Sequence, residues 1–491
     1  MLDRIISKVA VSAILLVLLV DLFITVPLYF TMINTHHEPL LKFVFSISAA
    51  ALVLGIAGAL AFSSLLLRPI RELVRHVELI RDTENKENLA DLEIEISGND
   101  ELAVLGERIN EMTQGLARAA ASVSDLNIGK EIQKKFIPLD LDKDGNKLNF
   151  GYKDAENAVF FGYYKGAKGV SGDYFDYLDL GGRYYAVINC DVAGKGIPAS
   201  LIMMQVATMF LNYFKKWKPD ADGMRLEELV YQINGFIEKL GFRGRFAAFT
   251  LCLFDSRTGD LHFCNAGDNI IHIYDASEKR VKSITLPQTP AAGALSNSTV
   301  ESKGGYRTQT LSLDHGDILL LYTDGIEEAK RYFRDSSYSE IICSIGGAGA
   351  PHGNHHAGHE SEAMGSARVY EIINAVMNRA SFRLNKWHNP EGDRELCFDY
   401  SNCKGEVEEV IMALIAAEKM FRCYRDPRAS ADDVVLIEKK ADAFLQAHFV
   451  QYSDYCSRTR ACNENSSYLY YEYLKEDEQY DDLAILGIKR K

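Results

Sequence analysis

Three apolar runs in this sequence meet aspartates at their ends, and that repetition narrows what the chain can fold into. Tyr184 to Cys190 leads into Asp191. Asp317 to Thr323 leads into Asp324. Asp481 and Asp482 open a last run, LAILGI. Each run has strand length and strand composition. A fourth aspartate, Asp173, follows Gly172. Behind Asp191 come Gly194 and Gly196, and Pro198 opens a helical pattern through Leu201, Ile202, Met203, Val206, Met209 and Phe210. A strand-end carboxylate beside a glycine turn either caps that turn or holds a hard cation such as magnesium or manganese, which takes oxygen ligands. Carboxylates gathered from four places repel and raise one another's pKa. Bound divalent cations remove that cost.

The pieces SGDYFD, DVAGKGIPASL, FAAFTLCLFDSRTGDLHFCNAGDN, YTDGIEEA and DDLAIL occur in this order. Together they resemble the metal-dependent protein phosphatases of the PPM type, in their bacterial SpoIIE-like branch. The resemblance covers about residues 126–331 and the last dozen. It implies an α+β fold, an antiparallel β-sandwich flanked by helices, with two Mn2+ or Mg2+ ions. It makes Asp173, Asp191, Asp324 and Asp481 the catalytic and metal-binding set. Asp191 would bridge both ions, Asp324 and Asp481 would complete one site, and Asp173 would sit at or beside them. The Val192 carbonyl would be a backbone ligand. Asp176 and Asp482 are neighbours with weaker claims, and the choice between Asp481 and Asp482 stays open. The implied reaction is direct hydrolysis of phosphoserine or phosphothreonine, by a water between the ions and without a covalent intermediate. The implied substrate is a small phosphorylated regulatory protein, an anti-sigma factor antagonist or a similar regulator. One departure is visible: Asp268 stands where the family usually has histidine after NAG.

At the other end of the chain, Val9 to Met32 and Phe43 to Leu67 are almost wholly apolar. Each is long enough to span a bilayer. Arg4 and Lys8 precede the first, but no small-residue cleavage site follows it. Residues 1–67 therefore read as two transmembrane helices with a short external loop. Arg68, Arg71 and Arg75 place both ends in the cytoplasm by the positive-inside rule. The expectation is a multi-pass protein of the inner (cytoplasmic) membrane with its catalytic part in the cytoplasm. Asp21 lies near the middle of the first run, where an acid either functions or bonds to a neighbouring helix.

Residues 68–122 then turn amphipathic. Ile70, Leu73, Val77 and Ile80 step by three and four, a polar connector runs from Asp82 to Gly98, and Leu102, Leu105, Ile109, Met112 and Leu116 repeat the step. With the Arg68-Pro69 start and NDELAVLGERINEM, this resembles a HAMP signal-relay module. Its parallel coiled coil implies a homodimer. A linker helix, 123–138, ends at Pro138. Residues 139–491 make the phosphatase domain, with a large insertion at about 332–480. The linker is expected to act on the helix that starts at Pro198, through Gly194-Lys195-Gly196.

Within the catalytic part, Phe246–Phe254 and Leu261–Asn265 read as a hairpin, and Pro198–Trp217 and Leu226–Leu240 as helices. In the insertion, Ala367–Leu384, Glu406–Arg422 and Ala429–Ala447 read as helices. A tyrosine-rich acidic stretch spans Tyr468–Tyr480. His352, His355, His356 and His359 sit in a glycine-rich loop that could bind zinc or nickel, or serve only as a polar loop. The net charge of −14 argues against nucleic acid as a partner. Nine scattered cysteines without a CxxC pair fit reduced thiols. The competing functions are a catalytically inactive signalling scaffold and a HAMP-containing receptor that acts by protein binding. The intact aspartates oppose the first, and the strands after Pro138 oppose the second.

Overall fold

The computed structural model describes part of 14–30, residues 38–62, 68–83, 89 and 92–94, and 101–491 except 168, 242–243, 345–356, 386–394, 457–458 and 462–466. Asp21, His352, His355 and His356 lie outside the described residues. The chain divides into two units, Met1–Asp125 and Leu126–Lys491.

In the first unit, α1 spans Glu38–Phe62, α2 Arg68–Asp82, and α3 starts at Glu101 and runs on to Lys134. On α1 the side chains of Phe43, Phe45, Ile47, Val53 and Leu54 are all exposed. Among the described residues one helix is long and apolar enough to cross a membrane, and it is Ile197–Lys216 of the second unit, a core helix. The apolar helical stretches Leu18–Pro27 and Phe45–Gly58 are shorter. Two membrane helices are thus a matter of the sequence and not of the described helices.

The amphipathic pattern of 68–122 has a small core. Ile80, Leu89 and Ala117 pack together, with Leu92 and Ile109 against them. The Asn110 amide holds the connector, accepting from Ile94 N–H and donating to Ile94 C=O, both at 2.9 Å. Val77, Leu105, Met112 and Leu116, from the same heptad pattern, stay exposed in the single chain.

The second unit is a sandwich of two antiparallel sheets. The labels β1 Phe150–Asp154, β2 Ala158–Lys165, β3 Tyr174–Asp179, β4 Tyr184–Val192, β5 Ala247–Asp255, β6 Asp260–Ala266, β7 Ile270–Asp275, β8 Arg280–Thr285, β9 Gln309–Ser312, β10 Ile318–Tyr322 and β11 Leu483–Arg490 cover its strands. One sheet runs β1-β2-β11-β10-β7-β8 and the other β3-β4-β5-β6-β9. The core between them includes Phe160 and Tyr164 from one sheet and Val187 and Ile188 from the other. Helix α4, Ile197–Lys216, lies on β3 and β4, and α5, Glu227–Leu240, packs beside it. The last strand sits mid-sheet, paired with β2 from Leu483 to Arg490 and with β10 from Ile485 to Lys489.

The insertion covers the outer face of the six-stranded sheet. Its longer helices are α6 Gly365–Met377, α7 Val407–Arg422 and α8 Lys439–His448. Nearly every side chain of α7 is buried, and a Cβ at Gly487 of β11 would overlap the Val407 side chain. The reciprocal bonds of Glu406 and Glu409 at its start form a capping box. Two expected helices are corrected. Ala367–Leu384 is helical only to Met377. Arg379 then takes a left-handed φ of 55°, and Ser381–Leu384 is a strand paired with Leu396–Asp399. Ala429–Ala447 becomes helical only at Lys439, because the β-branched run Val434–Glu438 pairs as a strand with Tyr468–Glu472. Buried ion pairs stitch the insertion: Arg334 with Asp477, and Arg422 with Glu418.

Candidate active site

Strand geometry brings the aspartates to one end of the sandwich. Asp173 directly precedes β3, Asp191 is the penultimate residue of β4, Asp324 follows β10 by two residues, and Asp481 and Asp482 directly precede β11. Two glycines permit the close approach. A Cβ at Gly325 would overlap the Asp482 carbonyl oxygen, so the turn after β10 rests on the turn before β11. A Cβ at Gly172 would come within 2.7 Å of the Val192 carbonyl oxygen, which sets that oxygen beside the Asp173 turn.

The carboxylates feel one another. Asp173 is buried and takes the Thr323 hydroxyl at 2.6 Å. Burial, then the charges of Asp191 and Asp482, push its pKa well above the ordinary carboxylate value. Asp191 is held at about 7 by burial and by Asp324, Asp481 and Asp482. Exposed Asp324 is raised to about 6 by partial burial, Glu328 and Asp481, with Lys195 opposing. The last pair divides its roles. Asp482 is buried, and its carboxylate accepts from Ala167 N–H at 2.7 Å. Asp481 is half-buried and faces the Lys195 ammonium at 2.9 Å. Asp176 points elsewhere, taking Tyr174 O–H at 2.8 Å and Tyr177 N–H at 2.7 Å.

All donors in this cluster are oxygens, four or five of them carboxylates with little compensating charge, a set that suits a hard divalent cation. Among the described residues no three His, Cys, Asp or Glu side chains stand close enough to enclose an ion.

Sequence reasoning treated Lys195 only as loop. Its ammonium also donates to the Tyr480 carbonyl at 2.6 Å and lies 4.5 Å from the Tyr480 ring centre. The one signal was a lysine between glycines behind a strand-end aspartate. A second connection starts at the end of α3. It reaches the loop before Asp173: Gln133 holds both backbone groups of Ser171. The Ser171 hydroxyl in turn accepts from Asp173 N–H at 3.0 Å.

Beside the carboxylates lies a cavity of about 500 Å³, with Asp191 and Asp324 on one wall and Ser366 and Tyr370 of α6 on another. Asp268, the departure noted above, lines it and takes the Thr250 hydroxyl at 2.7 Å. Asn189 also lines it, with a buried Oδ1 that lacks a hydrogen-bond partner. The insertion therefore helps to wall the site, which its sequence did not disclose.

Comparison with known proteins places these features. Residues 181–342 match the family model described as stage II sporulation protein E (SpoIIE), and residues 61–118 match that of the HAMP domain. Protein IcfG of Synechocystis sp. is 27% identical over 319 residues, 57% of this chain and 46% of the relative, so the chain spans about half of that relative's length. Among solved structures, the SiaA PP2C domain of Pseudomonas aeruginosa is 16% identical, covering 76% of this chain and 100% of that one, with a TM-score of 0.40. The PP2C phosphatase domain and regulatory fragment of SpoIIE from Bacillus subtilis is 12% identical, covering 92% and 99%, with a TM-score of 0.34. Residues 61–118 are thus a HAMP domain, and residues 181–342 belong to a SpoIIE-type phosphatase domain of the PPM class.

Proposed function

We propose that the chain is a membrane-anchored, metal-dependent phosphatase that removes phosphate from serine or threonine of a regulatory protein, under control of its HAMP module. The observation that carries this reading is the convergence of Asp173, Asp191, Asp324 and Asp481 from four strand ends. Asp173, Asp191, Asp324, Asp481 and the Val192 carbonyl would hold two Mn2+ or Mg2+ ions. Such ions, when bound, activate water for attack and offset phosphoryl charge. The chain's own residues prepare that site. Thr323 fixes one Asp173 oxygen. Asp482 is buried and accepts from Ala167 N–H, whereas Asp481 is the more exposed of the two, with one oxygen facing Lys195 and the other accepting from Asp482 N–H. The cavity walled by Tyr370 and Ser366 would receive the substrate segment next to the phosphorylated residue. An anti-sigma factor antagonist is the kind of substrate that the resemblance implies.

Anchoring rests on the two apolar runs and on the exposed apolar side chains of α1. Such a surface suits lipid. A parallel homodimer rests on Val77, Leu105, Met112 and Leu116, heptad residues left exposed in one chain. The test is phosphate release from phosphorylated regulators by the full-length protein in membranes. Manganese should support turnover, chelator should stop it, and Asp191→Asn should cost at least about a hundredfold, beyond what outer-shell changes cost at metal sites. Full activity in chelator would sink the reading.

A further inference from the structure

A second cavity, of about 300 Å³, shares no lining residue with the acidic one. It lies among the end of α3, the start of β1 and the insertion. Its wall carries four lysines, Lys134, Lys147, Lys439 and Lys440, against one carboxylate, Glu438. In a chain of net charge −14 this runs against composition.

Lys134 is only 7% exposed, and its ammonium donates to the neutral amide oxygen of Asn149 at 2.8 Å. Asn149 passes the link on, donating to Glu438 at 2.7 Å, and the same Glu438 oxygen also takes the Tyr163 hydroxyl at 2.8 Å. Glu438 therefore reaches Lys134 through an amide. Glu131 and Lys130 of α3 also act on Lys134, with opposite signs. Lys147 donates to the Leu139 carbonyl at 2.8 Å and the Ile137 carbonyl at 3.2 Å. Lys440 is paired with Glu408 at 2.6 Å. Among the described residues, no carboxylate forms an ion pair with Lys134, Lys147 or Lys439. A buried charge without a counter-ion is costly, and an anion in the cavity would offset it.

We propose that this cavity is a binding site for a small organic phosphate, held through the ammonium groups of Lys134, Lys147 and Lys439. Lysine binds phosphate as a point charge. The volume is at the lower end for small-molecule sites, the size of a mononucleotide or sugar phosphate. Phe150 and Tyr468 on the wall offer apolar surface to the organic part. Such a ligand would join the end of α3 to the insertion. Lys134 follows Gln133, the residue that holds the Ser171 loop, so occupancy would bear on the position of Asp173. The binding site itself does not depend on the phosphatase reading.

The experiment uses the full-length protein in detergent, with titration calorimetry and thermal denaturation. The probes are adenosine monophosphate, glucose 6-phosphate, inorganic phosphate and, as an uncharged control, adenosine. The expected result is saturable binding of at least one organic phosphate, with a rise in Tm and no response to adenosine. Lys439→Glu, at an exposed position, should weaken binding about tenfold or more, as expected when a charge facing a bound anion is reversed. Lys134→Met should abolish it. Asp191→Asn should leave it unchanged. The proposal is overturned if no probe binds saturably, if inorganic phosphate alone binds, or if adenosine binds as well as its monophosphate. It is equally overturned if Lys439→Glu binds as tightly as the parent, or if Asp191→Asn abolishes binding and so puts the anion in the acidic site.

Discussion

The side-chain amide of Gln133 spans the backbone of Ser171, accepting from its N–H at 2.9 Å and donating to its carbonyl at 2.5 Å. Both residues are fully buried. The last turn of α3 is thereby fastened to the loop that leads into Asp173. Rigid contact of this kind can pass a helix movement to the Asp173 carboxylate, provided the two positions differ in stability.

Gln133→Ala leaves two buried backbone groups without partners, which costs about 1–3 kcal/mol per unsatisfied group. The expected outcome is lower turnover with a weaker dependence on the HAMP module. The check is full-length turnover beside that of residues 126–491. If the variant changes stability but leaves the ratio of the two rates as in the parent, Gln133 is only a structural pin.

Lys195→Gln removes the ammonium that faces Asp481. The pair is partly exposed, and solvent screening limits such pairs to a fraction of a kcal/mol up to about 1. Apparent manganese affinity should therefore tighten about two- to fivefold, read by calorimetry. Weaker manganese binding would mean that Lys195 supports the site rather than competes for it.

The raised carboxyls set a pH trend with a definite sign. Asp191 titrates at about 7 and Asp324 at about 6 in the folded chain, against about 4 when unfolded. Through these carboxyls the folded state binds more protons between these limits, so they make stability fall as pH rises from about 4 to 7, with buried His272, lowered to about 4, acting in the opposite sense. In chelator the thermal midpoint should decline over that window. Saturating manganese should flatten or reverse the slope. A midpoint in chelator that climbs over the same window would contradict the clustering of these charges.

Tyr370 of α6 lines the acidic cavity, and its hydroxyl takes the Ser283 hydroxyl at 2.7 Å and lies 3.2 Å from His272 Nδ1. Tyr370→Ala should leave hydrolysis of a small aryl phosphate nearly intact while lowering kcat/KM on a phosphoprotein about tenfold, the loss of one good contact. Equal losses on both substrates would assign Tyr370 to the fold alone.

The placement of the aspartates at strand ends was legible because each apolar run has strand length and composition and stops at a carboxylate or starts from one. Helix α7 was legible too, its capping glutamates and apolar face being local signals. The neighbouring elements were not. The string from Ala429 to Ala447 holds good helix formers after Val434–Glu438, and the pairing with Tyr468–Glu472 decides for strand within it. Lys195 and Tyr480 are 285 positions apart, a separation that no periodicity reports. The insertion's part in walling the acidic cavity likewise depends on contacts across the sheet, from Tyr370 to Ser283 and His272.

The place of β11 has a consequence for synthesis. Its two sheet neighbours, β2 and β10, both precede it and wait for the strand that joins them, and Ala167 waits 315 residues for the Asp482 carboxylate. Pairing across such distances is slow to form. A nascent chain would carry Asp173, Asp191 and Asp324 on an open, half-built sheet, with apolar edges that chaperones would have to shield. The carboxylate cluster is therefore complete only once Asp481 and Asp482 have emerged, and a chain cut short upstream of them lacks both these aspartates and the strand that closes the sheet.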